Sequence, residues 1–345
     1  MNRKGPAVSD FRSDTVTLPT EEMRRSVFAA ELGDDVLGGD PTVERLQQMA
    51  AELTGKEAAL FVASGTMANL LAVTSHCRAG DEVILGEGSH IFNNEGGGSA
   101  RIGGVQLRTL PDPDGCFDPE RIAAAVRRPD LHHPRTRLIC TEDTHNGAGG
   151  VVVPLERLWR IRQVASEHEL PVHLDGARIF HAAVASAVPV REIAATADTV
   201  SFCLSKGLCC PAGSLLCGPR DLVEQARRLR KVLGGGMRQV GFLAAPGIVA
   251  LEKMIDRLAA DHRRARRLAE SLAELPGLEL DLARVQTNIV YLTVTGLPVS
   301  RLVEALRREG VACLVLGQKL RLVTHHDIGD DDVERAVAAF RKVLA

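Results

Sequence analysis

The hydrophobic positions of the chain fall into two alternating patterns. Short runs rich in Val, Ile and Leu are separated by longer segments in which apolar residues recur with the period of a helix. The short runs predict strands at 58–62, 82–85, 137–141, 171–174, 199–204 and 214–217. Strands that alternate with helices in this way predict an α/β fold, with a mostly parallel sheet sandwiched by helices.

The helical segments carry their own start and stop signals. The clearest is 41–55, where Asp40 is placed to cap the first turn, Pro41 occupies the first position and Gly55 ends the helix. Similar patterns predict helices at 66–76, 155–168 and 220–231.

The pattern changes in the last third of the chain. A long helical segment rich in arginine, 241–275, is followed by strand, helix, strand and helix at 288–294, 300–309, 320–323 and 331–344. We therefore expect two domains, a large one over 1–247 and a small C-terminal α+β domain over 248–345.

Composition narrows the classes of partner. The 345 residues include 42 Lys and Arg against 44 Asp and Glu, a net charge of -2, so the chain as a whole does not attract nucleic acid or an anionic membrane. Aromatic residues make up 3%, too few for base-stacking surfaces. Residues 1–6 lack the apolar stretch of a secretion signal, and the eight cysteines include no C-x-x-C pair. We expect a cytoplasmic protein with reduced thiols and no metal site.

Polar residues directly after the predicted strands are the first candidates for chemistry, because ligands of open α/β sheets bind at the carboxyl ends of the strands. Ser64-Gly65-Thr66 follows one strand and opens a helix whose free N–H groups suit a phosphate, although a plain tight turn explains it equally well. Three further strands are followed by His90, Asp175 and Lys206. Taken singly, a structural histidine and a solvated lysine are the ordinary interpretations.

The combination of these groups is more informative than any one of them. Asp175 and Lys206 are separated by one helical crossover, so they are expected to face each other at the same edge of the sheet. Pyridoxal 5'-phosphate (PLP) needs a lysine to bind its aldehyde, a carboxylate to keep its ring nitrogen protonated and a helix N-terminus to hold its phosphate. The sequence therefore points to PLP as the cofactor.

Seven motifs occur here in the order found in the low-specificity L-threonine aldolases, and the chain resembles that family from about residue 10 to residue 325. The motifs occupy residues 12–17, 33–36, 39–43, 64–69, 173–178, 204–208 and 234–239. The resemblance implies a fold-type-I PLP enzyme that cleaves L-threonine, L-allo-threonine and other L-β-hydroxy-α-amino acids to glycine and an aldehyde.

The resemblance also implies roles for single residues. Lys206 holds the cofactor, with Asp175 and Ser64-Gly65-Thr66 as further cofactor contacts. His90 stacks on the cofactor ring and is a candidate for the base that takes the hydroxyl proton. His132 resembles a second histidine that contacts the substrate hydroxyl. The adjacent His133 is the alternative for this role.

Arginines and one serine complete the implied site. Arg178 and Arg321 resemble a clamp for the substrate carboxylate, with Ser13 adding a hydrogen bond and Arg178 also contacting the cofactor. Lys231 and Arg238 flank a glycine-rich loop and resemble residues that reach the substrate and phosphate of a neighbouring subunit. This implies a homotetramer, a dimer of dimers, with shared active sites. Two simpler alternatives remain. Lys231 and Arg238 could belong to an exposed basic loop, and Arg321 could be a surface charge on an edge strand.

Three positions depart from the family pattern. They are Leu37, where an aromatic residue is common, Asn94, where an apolar or aromatic residue often stands, and Asp143, where Asn is usual. These residues are expected to belong to the substrate pocket, and the cofactor lysine is unchanged. An altered pocket around the same cofactor leaves other PLP reactions open, namely β-elimination, racemisation or transamination. A PLP-binding homologue without catalysis is the alternative from another class.

Overall fold

The computed structural model describes residues 8–345, so the expectation for residues 1–6 lies outside its range. Its strands are β1 (Ser9–Asp10), β2 (Ala58–Val62), β3 (Glu82–Gly86), β4 (Gln106–Leu110), β5 (Thr136–Glu142), β6 (Val172–Asp175), β7 (Thr199–Cys203), β8 (Ser214–Gly218), β9 (Leu278–Glu279), β10 (Ile289–Val294), β11 (Val311–Ala312), β12 (Leu314–Leu316) and β13 (Lys319–Val323). Most of them belong to two sheets, one large and one small.

The large sheet has seven strands in the order β2-β8-β7-β6-β5-β3-β4. All neighbours are parallel except β8, which runs antiparallel to both β2 and β7. Parallel strands with connecting helices bring their carboxyl ends to one edge. The prediction of an α/β fold with a mostly parallel sheet is confirmed.

Helices cover the sheets. They are α1 (Glu21–Ala29), α2 (Pro41–Thr54), α3 (Gly65–His76), α4 (His90–Asn93), α5 (Gly98–Arg101), α6 (Pro119–Ala125), α7 (Leu155–Glu167), α8 (Ile179–Ser186), α9 (Val190–Ala194), α10 (Arg220–Val232), α11 (Gly241–Lys253), α12 (Leu258–Ala273), α13 (Val299–Arg308) and α14 (Asp330–Leu344). As predicted, the Asp40 side chain caps α2 by accepting a hydrogen bond from the Val43 N–H, and Gly55 ends it with φ 66°. Among residues 8–345, no helix combines the length and hydrophobicity that a membrane crossing requires.

The chain builds two main hydrophobic cores. The larger one includes residues as far along the chain as Leu258, and the second combines Phe11 with apolar residues from Ala265 onward. The second core lies on an antiparallel sheet in the order β12-β13-β10-β9. The expected boundary after residue 247 falls inside α11, whose buried face packs in the larger core. The predicted single helical segment over 241–275 is two helices.

Candidate active site

Polar side chains meet at the carboxyl edge of the large sheet. Glu142 pairs with Asp175 across β5 and β6, and Asp175 pairs with Ser201 across β6 and β7. His90 begins α4, in the segment that follows β3. One ligand atom from each of His90, Glu95 and Asp175 lies within 4.8 Å of the others, so the expected grouping of His90 with Asp175 is present.

Asp175 is held by two donors at the end of β6. Its Oδ1 accepts a hydrogen bond from the Ala177 N–H at 3.0 Å, and its Oδ2 accepts one from Asn69 Nδ2 at 2.8 Å. Asn69 Nδ2 also donates to Glu95 Oε1 at 2.7 Å. This amide therefore lies between the two carboxylates, where a metal ion would otherwise have to sit, and we assign no metal to the cluster.

A buried chain of hydrogen bonds fixes the orientation of Asn69. Its Oδ1 accepts from Ser201 Oγ at 2.8 Å and lies 3.1 Å from His173 Nε2. Because an amide oxygen only accepts, His173 Nε2 carries the proton. Burial lowers the pKa of His173 to about 4, so the ring is neutral near pH 7, and its Nδ1 accepts from Thr199 Oγ1 at 2.9 Å.

His90 is held from two sides. Its backbone N–H donates to Glu142 Oε2 at 2.7 Å, and its Nδ1 lies 3.0 Å from Glu95 Oε1. The hydrogen bond to Glu95 raises the pKa of His90, and burial raises the pKa of Glu95. Because Glu95 engages Nδ1, Nε2 is the ring nitrogen left for a ligand.

The turn at the N-terminus of α3 forms an open cradle. Ser64 caps the helix by accepting a hydrogen bond from the Met67 N–H at 3.2 Å, while Ser64 and Thr66 are exposed. A Cβ at Gly65 would lie 2.8 Å from Cys203 Sγ, so the backbone packs too closely there for a side chain. Ser214 Oγ, next to this contact, is buried with no hydrogen-bond partner in residues 8–345. Such a cradle suits a phosphate group.

The loop that carries Lys206 is fixed through its backbone. The Lys206 carbonyl accepts a hydrogen bond from Thr17 Oγ1 at 3.0 Å. A side chain at Gly207 would collide with the ring of His181, whose Nε2 would lie 2.6 Å from the added Cβ. The charge of Lys206 contributes to a lowered pKa of Asp14, which ties the lysine electrostatically to the N-terminal segment.

Arg178 has a partner that the sequence did not reveal. Its Nε and NH2 donate to the two oxygens of Asp14, both at 2.7 Å, and both side chains are buried. Burial raises the pKa of Asp14, but the Arg178 guanidinium outweighs this and holds that pKa well below its usual range. Asp14 therefore occupies Nε and NH2 of Arg178. The third nitrogen, NH1, lies 3.4 Å from Asn146 Oδ1 and is the part of the guanidinium that faces a ligand.

Arg321 is a buried cation of the site whose Nε and NH2 lack hydrogen-bond partners among residues 8–345. It lies on β13, paired in register with Tyr291 of β10, and is 7% exposed. Burial and the nearby charge of Arg178 lower the pKa of Arg321. Buried donors without partners are costly, so this group calls for an anion.

The remaining predicted residues are more distant or more exposed. Ser13 caps a 3-10 turn (Asp14–Val16) by accepting from the Thr15 N–H at 3.3 Å. Lys231 is exposed, and Arg238 is 57% exposed with Asp34 as its partner at 3.3 Å. His132 lies before β5, at the amino edge of the sheet, and is 86% exposed beside Asp130. The structure does not bring His132 to the other site residues within one chain.

Two of the three departures from the family pattern are exposed. Leu37 is 82% exposed and Asn94 is also exposed. Asp143 is buried at the end of β5, and its backbone N–H donates to the Asp175 carbonyl at 3.0 Å. A role for Asn69, Glu95 and Asp14 was missed from sequence. Of these, Glu95 could have been found, since it is an acid five residues after His90 in the segment that follows β3.

Comparisons with known proteins find relatives over nearly the whole chain. The family model described as "Beta-eliminating lyase" matches residues 10–295. The chain is 43% identical to low-specificity L-threonine aldolase 1 of Arabidopsis thaliana, over 97% of this chain and 96% of that protein. It is 42% identical to the low specificity L-threonine aldolase of Escherichia coli K12, over 97% and 99%. A solved structure of Leishmania major threonine aldolase has the same fold, with a TM-score of 0.83, 21% identity and coverage of 97% and 99%.

Proposed function

The chain belongs to the beta-eliminating lyase family, and we propose that it is a PLP-dependent aldolase. It cleaves L-threonine, L-allo-threonine and other L-β-hydroxy-α-amino acids to glycine and an aldehyde. The names of its relatives support the reaction, and the chemistry of its own side chains supports the substrate class.

The buried guanidinium of Arg321 is the observation that carries the proposal. Its Nε and NH2 donors have no partner in residues 8–345, whereas the neighbouring Arg178 is paired with Asp14. An amino-acid substrate brings one carboxylate, which would pair with Arg321 and with Arg178 NH1, whose other hydrogen bond is to Asn146 Oδ1 at 3.4 Å. Arg321 thus binds the substrate, and the Asp14 pair keeps Arg178 in position.

PLP fits the residues that are present. The N-terminus of α3 at Ser64-Gly65-Thr66 would hold its phosphate, with the unpartnered Ser214 hydroxyl beside it. Asp175 would bind the ring nitrogen, and Lys206 would bind the aldehyde. When bound, the cofactor accepts the electron pair that is released as the substrate Cα–Cβ bond breaks.

His90 is the base in this proposal. Its Nδ1 is held by Glu95, so Nε2 is the atom that takes the proton from the substrate β-hydroxyl. Breaking of the Cα–Cβ bond then releases the aldehyde, and a proton added at Cα completes glycine. Glu95 raises the pKa of His90 and so sets the pH above which the ring is free to accept that proton.

The enzyme is proposed to work as a homo-oligomer, a tetramer built of dimers with shared sites. Exposed apolar side chains accompany the basic loop: Val232 is 80% exposed next to Lys231, and Leu37 is 82% exposed near Asp34, the partner of Arg238. Exposed apolar residues of this kind favour contact with a second chain. Arg238 and Lys231 would then serve a neighbouring site.

The loop before β5 supports the same arrangement. Leu131 is 97% exposed and His132 is 86% exposed. Since β5 separates this loop from the carboxyl edge of its own sheet, a contact between His132 and a substrate hydroxyl requires the loop of a neighbouring copy.

A cytoplasmic location is the final part of the proposal. All eight cysteines are buried in the structure, and unpaired thiols are typical of a reducing compartment. Cell fractionation with an antibody to the protein checks the compartment, and recovery in a secreted or membrane fraction would contradict it.

Product analysis tests the reaction. Purified protein loaded with PLP is given L-threonine, and glycine, acetaldehyde, 2-oxo acid and ammonia are measured together. Equal amounts of glycine and acetaldehyde are expected, and Lys206→Ala should abolish both. Lys253→Ala, which removes an exposed lysine on α11, is the matched control and should keep full activity. A 2-oxo acid with ammonia would instead identify β-elimination, and inverted amino acid would identify racemisation.

A further inference from the structure

A second cationic cavity lies at the opposite edge of the large sheet from the active site. It is lined by the C-terminal end of α3, the residue just before β3, the start of β5 and Gln225 of α10, and its volume is about 330 Å³. Three arginines line it, Arg78, Arg135 and Arg137, against the single acid Asp81. This charge excess makes it a candidate for an anion.

The guanidinium groups are only partly neutralised. Arg135 Nε lies 3.6 Å from Asp81 Oδ1. Arg137 Nε donates to the His76 carbonyl at 3.2 Å, which orients its guanidinium and leaves both terminal nitrogens available. Within residues 8–345, the Arg78 guanidinium has no hydrogen bond or ion pair; only its backbone N–H donates to Asp81. An anion bound among the three guanidinium groups would reduce the repulsion between them.

Two neutral polar side chains of α3 also line the cavity. Ser75 Oγ is buried without a partner in the described residues. His76 Nε2 lies 3.1 Å from Thr199 Oγ1. Because Thr199 donates its proton to His173, His76 Nε2 must carry the proton of this contact, and Nδ1 remains as its free ring atom. Burial lowers the pKa of His76 to about 4; the charge of Asp198 opposes this shift, and the charge of Arg137 adds to it.

We propose that this cavity is a binding site for a small oxyanion of the phosphate or carboxylate type, held by Arg78, Arg135 and Arg137. An anion there would neutralise the arginines and accept from the Ser75 hydroxyl. The site is distinct from the phosphate cradle at Ser64, which lies at the other end of α3. Planar guanidinium groups bind both phosphate and carboxylate through paired N–H donors, so the chemistry of the site fits either.

Calorimetry on the PLP-loaded protein tests the proposal. Loading fills the phosphate cradle of the active site, and saturating glycine fills the carboxylate site at Arg321. Inorganic phosphate added in a low-salt chloride buffer then reports on the second cavity. One phosphate per chain is expected to bind, more weakly as chloride is raised. A parallel titration with succinate tells a phosphate ligand from a dicarboxylate. If neither probe binds, the proposal is wrong.

A double variant and a control variant test whether the heat of phosphate binding comes from this cavity. Arg78→Gln/Arg135→Gln changes two exposed side chains, so the fold should be kept, and at least a tenfold loss of affinity is expected. Arg301→Gln, an exposed arginine of α13, is the matched control and should bind as the unmodified protein does. Unchanged affinity in the double variant would overturn the assignment, whatever the outcome of the activity assays.

Discussion

The free energy of unfolding is expected to fall as the pH rises because of Asp143. Replacing Asp143 with asparagine should abolish this fall. Asp143 is 1% exposed. Its Oδ1 accepts a hydrogen bond from the Val153 N–H at 3.0 Å, but its Oδ2 is buried without a partner in residues 8–345. Burial, together with the charge of Glu142, raises the pKa of Asp143 from 3.8 to about 7.

Proton linkage gives the sign and the size of the effect. Between pH 3.8 and about 7, folded Asp143 keeps a proton that the unfolded chain has released. The free energy of unfolding therefore falls as the pH rises, by about 1.4 kcal/mol per pH unit and by about 4 kcal/mol over the whole interval. Asparagine has no proton to lose, so the variant should gain about 3 kcal/mol on the unmodified protein from pH 5 to pH 8.

Denaturant unfolding of both proteins at pH 5, 6, 7 and 8 measures this difference, at one protein concentration and with the same cofactor loading. The difference in unfolding free energy should grow up to about pH 7 and then level off. Asp331→Asn, which makes the same chemical change at an exposed position of α14, is the control and should show no such trend. A difference between the Asp143 variant and the unmodified protein that stays constant with pH would refute the reasoning.

Three further predictions concern the active site. Arg321→Ala should raise KM roughly 10- to 100-fold with little change in kcat, because a charged hydrogen-bond partner of the substrate is lost. Lys319→Ala changes an exposed residue of the same strand and is the control. An unchanged KM in the Arg321 variant would mean that the substrate carboxylate binds elsewhere. Glu95→Gln should lower the pKa of His90, so the acid limb of the kcat/KM profile should shift to lower pH, and an unmoved limb would remove His90 from the role of base. Arg238→Ala should release cofactor more readily on dilution, measured by absorbance of the free cofactor; a diluted monomer that is fully active would contradict the shared site.

The elements that were predicted correctly are those whose local signals agree with their tertiary surroundings. The helix over Pro41–Thr54 carries a cap, a first-turn proline and a terminal glycine, and it formed as predicted. The edge strand Gln106–Leu110 was missed because its residues are mostly half-exposed and include an arginine, so no apolar run marks it. The interruption between α11 and α12 was missed because no proline or glycine stands at residues 254–257.

The part of the site that could be predicted consists of residues at or shortly after the ends of strands. Asp175 ends β6, and His90 and Lys206 come a few residues after β3 and β7, so the topology of a parallel sheet was enough to place their backbones at one edge. The pairing of Arg178 with Asp14 joins residues 164 positions apart, and no local pattern specifies such a contact. The exposed position of His132 at the amino edge was equally hidden, because a motif match gives residue identity and not the direction of a loop.

Acetaldehyde release from L-threonine, L-allo-threonine and D-threonine, measured in parallel on purified protein loaded with PLP, tests the central claim most directly. The account predicts acetaldehyde with an equal amount of glycine from the two L isomers and none from D-threonine. Release from D-threonine, or no aldehyde from any isomer despite bound cofactor, would contradict it.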